Sequence, residues 1–234
     1  MSATGLEIFH AIPTRLGEGV CWHPSRQTVW WVDILGCRFY EAAPTGAPPR
    51  VVECAQMIGA VAPTRSGGLV AALHEGIYLI DPESGAASHF ATPADHDTKI
   101  FRFNDGKVDP MGRFWAGTMA LDERPGRSRL FRIGADRSVA VMREGVSVSN
   151  GLAWSPDART LYYIDSPTRT VQAFAFDLEH GTLGPPRVAI RFAEADGFPD
   201  GCTLDAEGHL WIAHWGAAKV TRWDMRSQRL LHTI

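Results

Sequence analysis

Five glycines in this chain share a place in a recurring pattern, and the residue before each one bears on chemistry. The pairs are Glu18-Gly19, Ile58-Gly59, Asp105-Gly106, Asn150-Gly151 and Asp200-Gly201. Four of the five leading residues are acids or amides. Singly, such residues beside glycine usually make turns. Gathered at one point, their oxygens would ligate a hard divalent cation such as calcium or magnesium. Glu18 and Asp200 would balance the double positive charge, and Asn150 would add a neutral oxygen. Without a cation, the same carboxylates repel and raise one another's pKa.

The pattern around the glycines says how they are gathered. Each opens a short apolar strand, which runs through a polar turn into a second apolar strand. Gly19-Val20-Cys21-Trp22 leads through His23-Pro24-Ser25-Arg26 to Val29-Trp30-Trp31-Val32-Asp33. Gly151-Leu152-Ala153-Trp154 leads through Ser155-Pro156-Asp157 to Leu161-Tyr162-Tyr163-Ile164-Asp165. The copies at Gly59, Gly106 and Gly201 follow the same order. Their spacing, roughly 40–50 residues, is that of a four-stranded propeller blade. Third strands follow in several copies, as at Ile77-Tyr78-Leu79-Ile80. No stretch sustains a 3.6-residue apolar period, so few helices are expected. The chain therefore reads as all-β, a β-propeller of small antiparallel sheets packed face to face around one axis. The first strand of each blade lies nearest that axis, so the residues before the glycines meet across the mouth of the ring.

Bulk properties exclude several classes. The 234 residues are 45% hydrophobic and 21% charged, with a net charge of −3. No long basic run marks a nucleic-acid binder. No apolar run approaches the ~20 residues of a membrane span, and Met1 to His10 lacks the pattern of a signal peptide. Cys21, Cys37, Cys54 and Cys202 form no C-x-x-C pair, so they read as small core residues in a reducing compartment and not as a zinc site. The expectation is a cytoplasmic protein that binds neither nucleic acid nor membrane. The oligomeric state is not legible. His74 and His214 lack the Gly-x-Ser-x-Gly elbow of a serine hydrolase and read as structural. The eight tryptophans read as packing between blades.

Four stretches carry a resemblance. Leu16-Gly17-Glu18-Gly19, Arg102-Phe103-Asn104-Asp105-Gly106-Lys107-Val108-Asp109, Ser149-Asn150-Gly151-Leu152-Ala153-Trp154-Ser155 and Pro199-Asp200-Gly201-Cys202 resemble, in order, motifs of the senescence marker protein / gluconolactonase (regucalcin-like) family. The resemblance implies a six-bladed propeller with one divalent metal in its mouth, whether calcium, zinc, magnesium or manganese. It implies hydrolysis of aldonolactones and some other esters. It implies Glu18, Asn150 and Asp200 as metal ligands, Arg102 and Asn104 as contacts to the sugar lactone, and Asp200 also as general base. An acid on the loop after Gly117-Thr118-Met119-Ala120 would complete the substrate site, which implies Asp122 or Glu123. Five blade starts are present, and the fifth runs to an outer strand near residues 229–234. The expectation is thus one propeller domain over residues 1–234, with about five blades and the sixth missing.

The chemistry fits these residues in its own right. A divalent ion polarises a lactone carbonyl, and a carboxylate at Asp200 can accept the proton of an attacking water. Asn104 is placed as a donor to the oxyanion. Arg102 offers a forked donor to sugar hydroxyls or to a developing carboxylate. The alternatives are a non-catalytic calcium or metabolite binder of the same fold, or an arylesterase-like propeller. An ion buffer needs no substrate arginine, so Arg102 beside Asn104 and Asp200 favours the enzyme.

Overall fold

Runs of aromatic and β-branched residues, each broken after five to eight positions by Asp, Pro or Gly, suit pleated strands joined by tight turns. The computed structural model describes residues 7–234, so the reading of the first six residues lies outside it. It contains five four-stranded antiparallel sheets, each with its strands in chain order from the axis outward. These are five blades in a propeller arrangement. The inner strands are Gly17–His23, Ile58–Pro63, Phe101–Val108, Ser149–Trp154 and Phe198–Leu204. The second strands are Thr28–Asp33, Leu69–Leu73, Phe114–Ala120, Thr160–Asp165 and Leu210–Trp215. Two 3-10 turns, Ser166–Thr168 and Glu194–Asp196, are the only helical pieces among the described residues. None is long and apolar enough to cross a membrane.

The core lies between blades, and the two-residue period of a strand builds it. Along the fourth blade's second strand, Leu161 and Tyr163 pack with Trp115 and Leu130 of the third blade. Tyr162 and Ile164, one position over, pack with Leu210 and Ile212 of the fifth. Trp30 and Val32 meet Val61 and Leu69 in the same way at the first interface. Trp30 and Trp115 are fully buried, and truncating such a ring to alanine costs about 3–5 kcal/mol. The four cysteines are free thiols.

Two of the opening glycines, Gly59 and Gly151, have a packing reason. A Cβ on Gly59 would lie 2.7 Å from the Phe103 carbonyl oxygen, and one on Gly151 would lie 2.8 Å from that of Asp200. Neighbouring inner strands pass too closely there for any side chain. Each inner strand also carries an irregularity in its pairing with the second strand. In the fourth blade Ser149 pairs Asp165 and Leu152 pairs Tyr163, so Asn150 and Gly151 oppose the single residue Ile164. In the fifth, Asp200 and Gly201 oppose Ala213. In the third, Asn104 and Asp105 oppose Gly117. A bulge of two residues against one bends the strand and re-aims its side chains. Asn104, Asn150 and Asp200 sit on these bulges, and Glu18 lies directly before one, while Arg102 is in regular register with Met119.

Aspartates fix the strand ends. Asp33 accepts hydrogen bonds from the backbone N–H groups of Arg15 and Leu16, at 3.1 and 2.9 Å. Asp165 does the same for Ser147 and Val148. The segments leading into the first and fourth inner strands are thereby tied to the second strands. Leu16 and Val148 are then delivered to the mouth.

Candidate functional site

A cavity of about 370 Å3 opens at the mouth of the ring. Its polar lining includes Glu18, Arg102, Asn104, Glu123, Asn150 and Asp200. The inner strands of four blades, the first, third, fourth and fifth, thus bring together Glu18, Arg102, Asn104, Asn150 and Asp200, but the lining does not include Asp122. That side chain is directed to Arg127 and Arg124 instead, at 3.1 and 3.4 Å, on the exposed loop. Its neighbour Glu123, at a left-handed turn position with φ 56°, lines the cavity. Of the two acids that the sequence offers, Asp122 was the one expected at the substrate, and the loop turns Glu123 inward in its place.

Asn104 organises the polar wall. Its Nδ2 donates to the Ser149 carbonyl at 2.9 Å and to Asn150 Oδ1 at 3.0 Å. Its Oδ1 accepts from Arg102 Nη1 at 2.8 Å. Asn150 in turn donates from Nδ2 to Ser166 Oγ at 2.8 Å, and Ser166 donates to the Pro199 carbonyl. This chain crosses three blades. It fixes the Asn150 amide with its oxygen toward Asn104 and leaves that oxygen a second lone pair. Ser166 was not singled out by sequence, because only the approach of blade five gives its hydroxyl an acceptor.

The acids stand in the opposite condition. Burial, Asp200 and Asp105 push the Glu18 carboxyl well above its ordinary pKa, against the pull of Arg102. Burial and Asp105 raise that of Asp200, opposed by the Gly201 N–H. Asp105, deeper in the channel, is raised by burial against the pull of Lys107 and the Gly106 N–H. Lys107 reaches across the axis to the Cys202 carbonyl at 2.9 Å. Burial lowers the Arg102 pKa, offset by Glu18 and Glu123.

Crowded carboxylates with raised pKa values are the electrostatic signature of a place made for positive charge. Two carboxylates and a carboxamide oxygen are hard donors suited to a divalent ion. Among the described residues no group of three His, Cys, Asp or Glu has the placement of a metal centre. A donor set whose third member is an amide lies outside that grouping. His214 is occupied elsewhere, with Asp196 O at 2.9 Å and Thr221 Oγ1 at 2.7 Å.

Fold and cavity together define a β-propeller protein with an acid-lined pocket on its axis. The profile of the SMP-30/Gluconolactonase/LRE-like region matches residues 16–234. The chain belongs to that family. A regucalcin of Xenopus laevis is 35% identical over 239 residues, covering 100% of this chain and 80% of that protein. A 6-deoxy-6-sulfogluconolactonase of Pseudomonas putida is 35% identical over 214 residues, covering 90% of this chain and 72% of that one. The solved structure of the calcium-binding protein regucalcin from Agrobacterium tumefaciens superposes with a TM-score of 0.89 at 28% identity, over 95% of this chain and 75% of the other.

Proposed function

We propose that the chain is a metal-dependent lactonase, opening a sugar lactone to its aldonic acid in the mouth cavity. The observation that carries this reading is the juxtaposition of two half-buried, mutually repelling acids with a buried arginine in one pocket. Glu18, Asn150 and Asp200 would hold one divalent ion, which when bound supplies Lewis-acid polarisation of the carbonyl.

The protein's own groups do the rest. Asp200 accepts a proton from the attacking water as its oxygen bonds to the carbonyl carbon. The ring C–O bond then breaks, and the departing oxygen takes that proton to become the hydroxyl of the acid. Arg102 turns the free part of its fork to the substrate's hydroxyls or to the new carboxylate. Glu123 accepts from hydroxyls on the facing side. Asn104 has both amide hydrogens engaged, so it serves by holding Arg102 and Asn150 in place.

A second cavity, of about 380 Å3, continues along the axis past Val20, Lys107 and Cys202 to Trp211, Ala213 and Val220 on the fifth blade. The exposed apolar side chains Val20 and Trp22 of blade one suit a sixth blade between the first and the fifth. The test is hydrolysis of a panel of aldonolactones, followed by acid release, with calcium, zinc, magnesium or manganese restored. It is run on this chain and on one extended by a sixth blade. Turnover by neither form, with each metal, removes the lactonase reading. Metal binding that persists without turnover favours the non-catalytic binder.

A further inference from the structure

Two of the four cysteines stand opposite each other, and lactone hydrolysis uses neither. The first blade's third and fourth strands are Arg38–Ala42 and Arg50–Glu53. They run antiparallel, with Arg38 opposite Glu53 and Phe39 opposite Val52. One step further along this register, Cys37 meets Cys54. The Cys54 N–H donates to the Cys37 carbonyl at 2.7 Å, so the ladder continues through the pair. Residues matched in this way hold their Cα atoms about 5.5 Å apart. A disulfide spans roughly 4.4–6.8 Å.

Both thiols are free and half-buried. Cys37 ends the turn 34–37 with φ 54°, the left-handed step by which such a turn rejoins its ladder. Cys54 packs on the cluster of Phe39 and Val52 between the first two blades. Burial, then Cys37, then Glu53 push the Cys54 thiol up to about 12. The second of these causes puts each sulfur within the field of the other. Cys21 and Cys202 lie apart from them, on the inner strands of the first and fifth blades. The charges acting on those two are Lys107 and, for Cys202, Asp105 and Asp200.

The pair sits where two inner strands begin. Gly36, next to Cys37, donates its N–H to Asp33 Oδ1 at 3.0 Å. That carboxylate also takes the N–H groups of Arg15 and Leu16, ahead of the first inner strand. Beyond Cys54, residues 55–57 lead into the second inner strand at Ile58. A bond between the two sulfurs ties these entries together.

We propose that Cys37 and Cys54 are a redox-active dithiol, closed to a cross-strand disulfide by a small-molecule disulfide such as oxidised glutathione and reopened by thiols. Cys37, on the turn, attacks one sulfur of the oxidant as its thiolate. The oxidant's S–S bond breaks, and one glutathione leaves as a thiolate. The Cys54 thiolate then attacks the Cys37 sulfur, and the second glutathione leaves. Two cysteine thiols are oxidised, one disulfide is reduced to two thiols, and the two cysteine protons pass to these. The raised pKa of Cys54 makes it the slower thiol toward an external disulfide, which sets the order. Once Cys37 is capped, its charge no longer opposes the Cys54 thiolate.

The test incubates the full chain with oxidised glutathione, blocks the remaining thiols with iodoacetamide and maps unreduced peptides by mass spectrometry. The four free thiols fall to two, with one link, between the peptides of Cys37 and Cys54. Dithiothreitol restores all four. Cys54→Ser stops the exchange at the first step and leaves glutathione on Cys37. Stable glutathione adducts on Cys37 and Cys54 of the unaltered protein, without a link, overturn the proposal. So does a link from either to Cys21 or Cys202, and so does reaction of the pair only in denaturant. Each readout is independent of lactone hydrolysis.

Discussion

The fifth inner strand carries an aspartate near each end of its course, and the two are held in opposite ways. Asp205, in the turn below the strand, receives the N–H groups of Glu207 and His209, the Trp211 indole at 2.9 Å and Arg222 at 2.8 Å. Burial alone would raise its pKa, yet these donors outweigh it and hold the carboxyl well below the usual carboxylate range. Asp200, five residues earlier at the mouth, has the Gly201 N–H and otherwise faces Asp105 and Glu18. The third blade repeats the contrast. Asp109 is satisfied by Trp115, Arg113 and the Met111 N–H, while Asp105 stands buried above it. The lesson is that burial of an acid does not mark function. What marks it is burial with too few donors, since a fold that only needed stability would supply them.

Substitutions can break this contrast from either side. The largest effect is expected at Asp200. Asp200→Asn keeps an oxygen for a metal but cannot take the water's proton, and should lower kcat by ~10²–10⁴ without destabilising the fold. Near-normal turnover at saturating metal would transfer the role of base to another acid, such as Asp105 or Glu123. Asp109→Ala should do the reverse. It leaves the Arg113 charge and the Trp115 indole without their buried partner, a loss of about 3–5 kcal/mol read by denaturant unfolding. The activity of the molecules that stay folded should be unaltered.

Glu18→Gln should act on both counts and in opposite directions. Losing one ligand charge should weaken metal affinity on the order of tenfold or more, measured by titration, with added metal partly restoring turnover. At neutral pH, without metal, it should raise the melting temperature, because burial, and after it Asp200 and Asp105, disfavour in the folded protein the charge that Glu18 carries in the unfolded chain. The sign follows from linkage. A carboxyl whose folded pKa is raised gives stability that is present below its unfolded pKa and is lost as pH rises through the folded value. Asp205 has the opposite slope. Its depressed pKa gives stability above the unfolded value near 3.8, lost as pH falls through the folded one. Asp205→Asn should therefore flatten the acid limb of a melting curve series below pH 4, the smallest of these effects. An acid limb that is unchanged would mean the Asp205 network adds nothing to folding.

Much of this protein was legible in the chain. The five phased copies of glycine, strand, turn and strand determined the blades, because strand alternation and turn chemistry are local properties. The phase of the repeat also placed Glu18, Asn150 and Asp200 at one level of the ring, and they line one cavity. Tertiary structure decided what depends on direction and on neighbours. The bulges that aim Asn150 and Asp200 inward arise from pairing with the second strand; the glycine in each marks an irregular position but not the direction in which the residue before it turns. Asp122 and Glu123 are adjacent acids that sequence leaves equivalent, and the backbone turn at Glu123 alone separates the one on the cavity from the one among arginines. Asn104 is the donor that the chemistry asked for, but its amide is engaged by Ser149 and Asn150 from the next blade. Composition and spacing fix which residues share a level, while the packing of blade on blade fixes which of their atoms remain free.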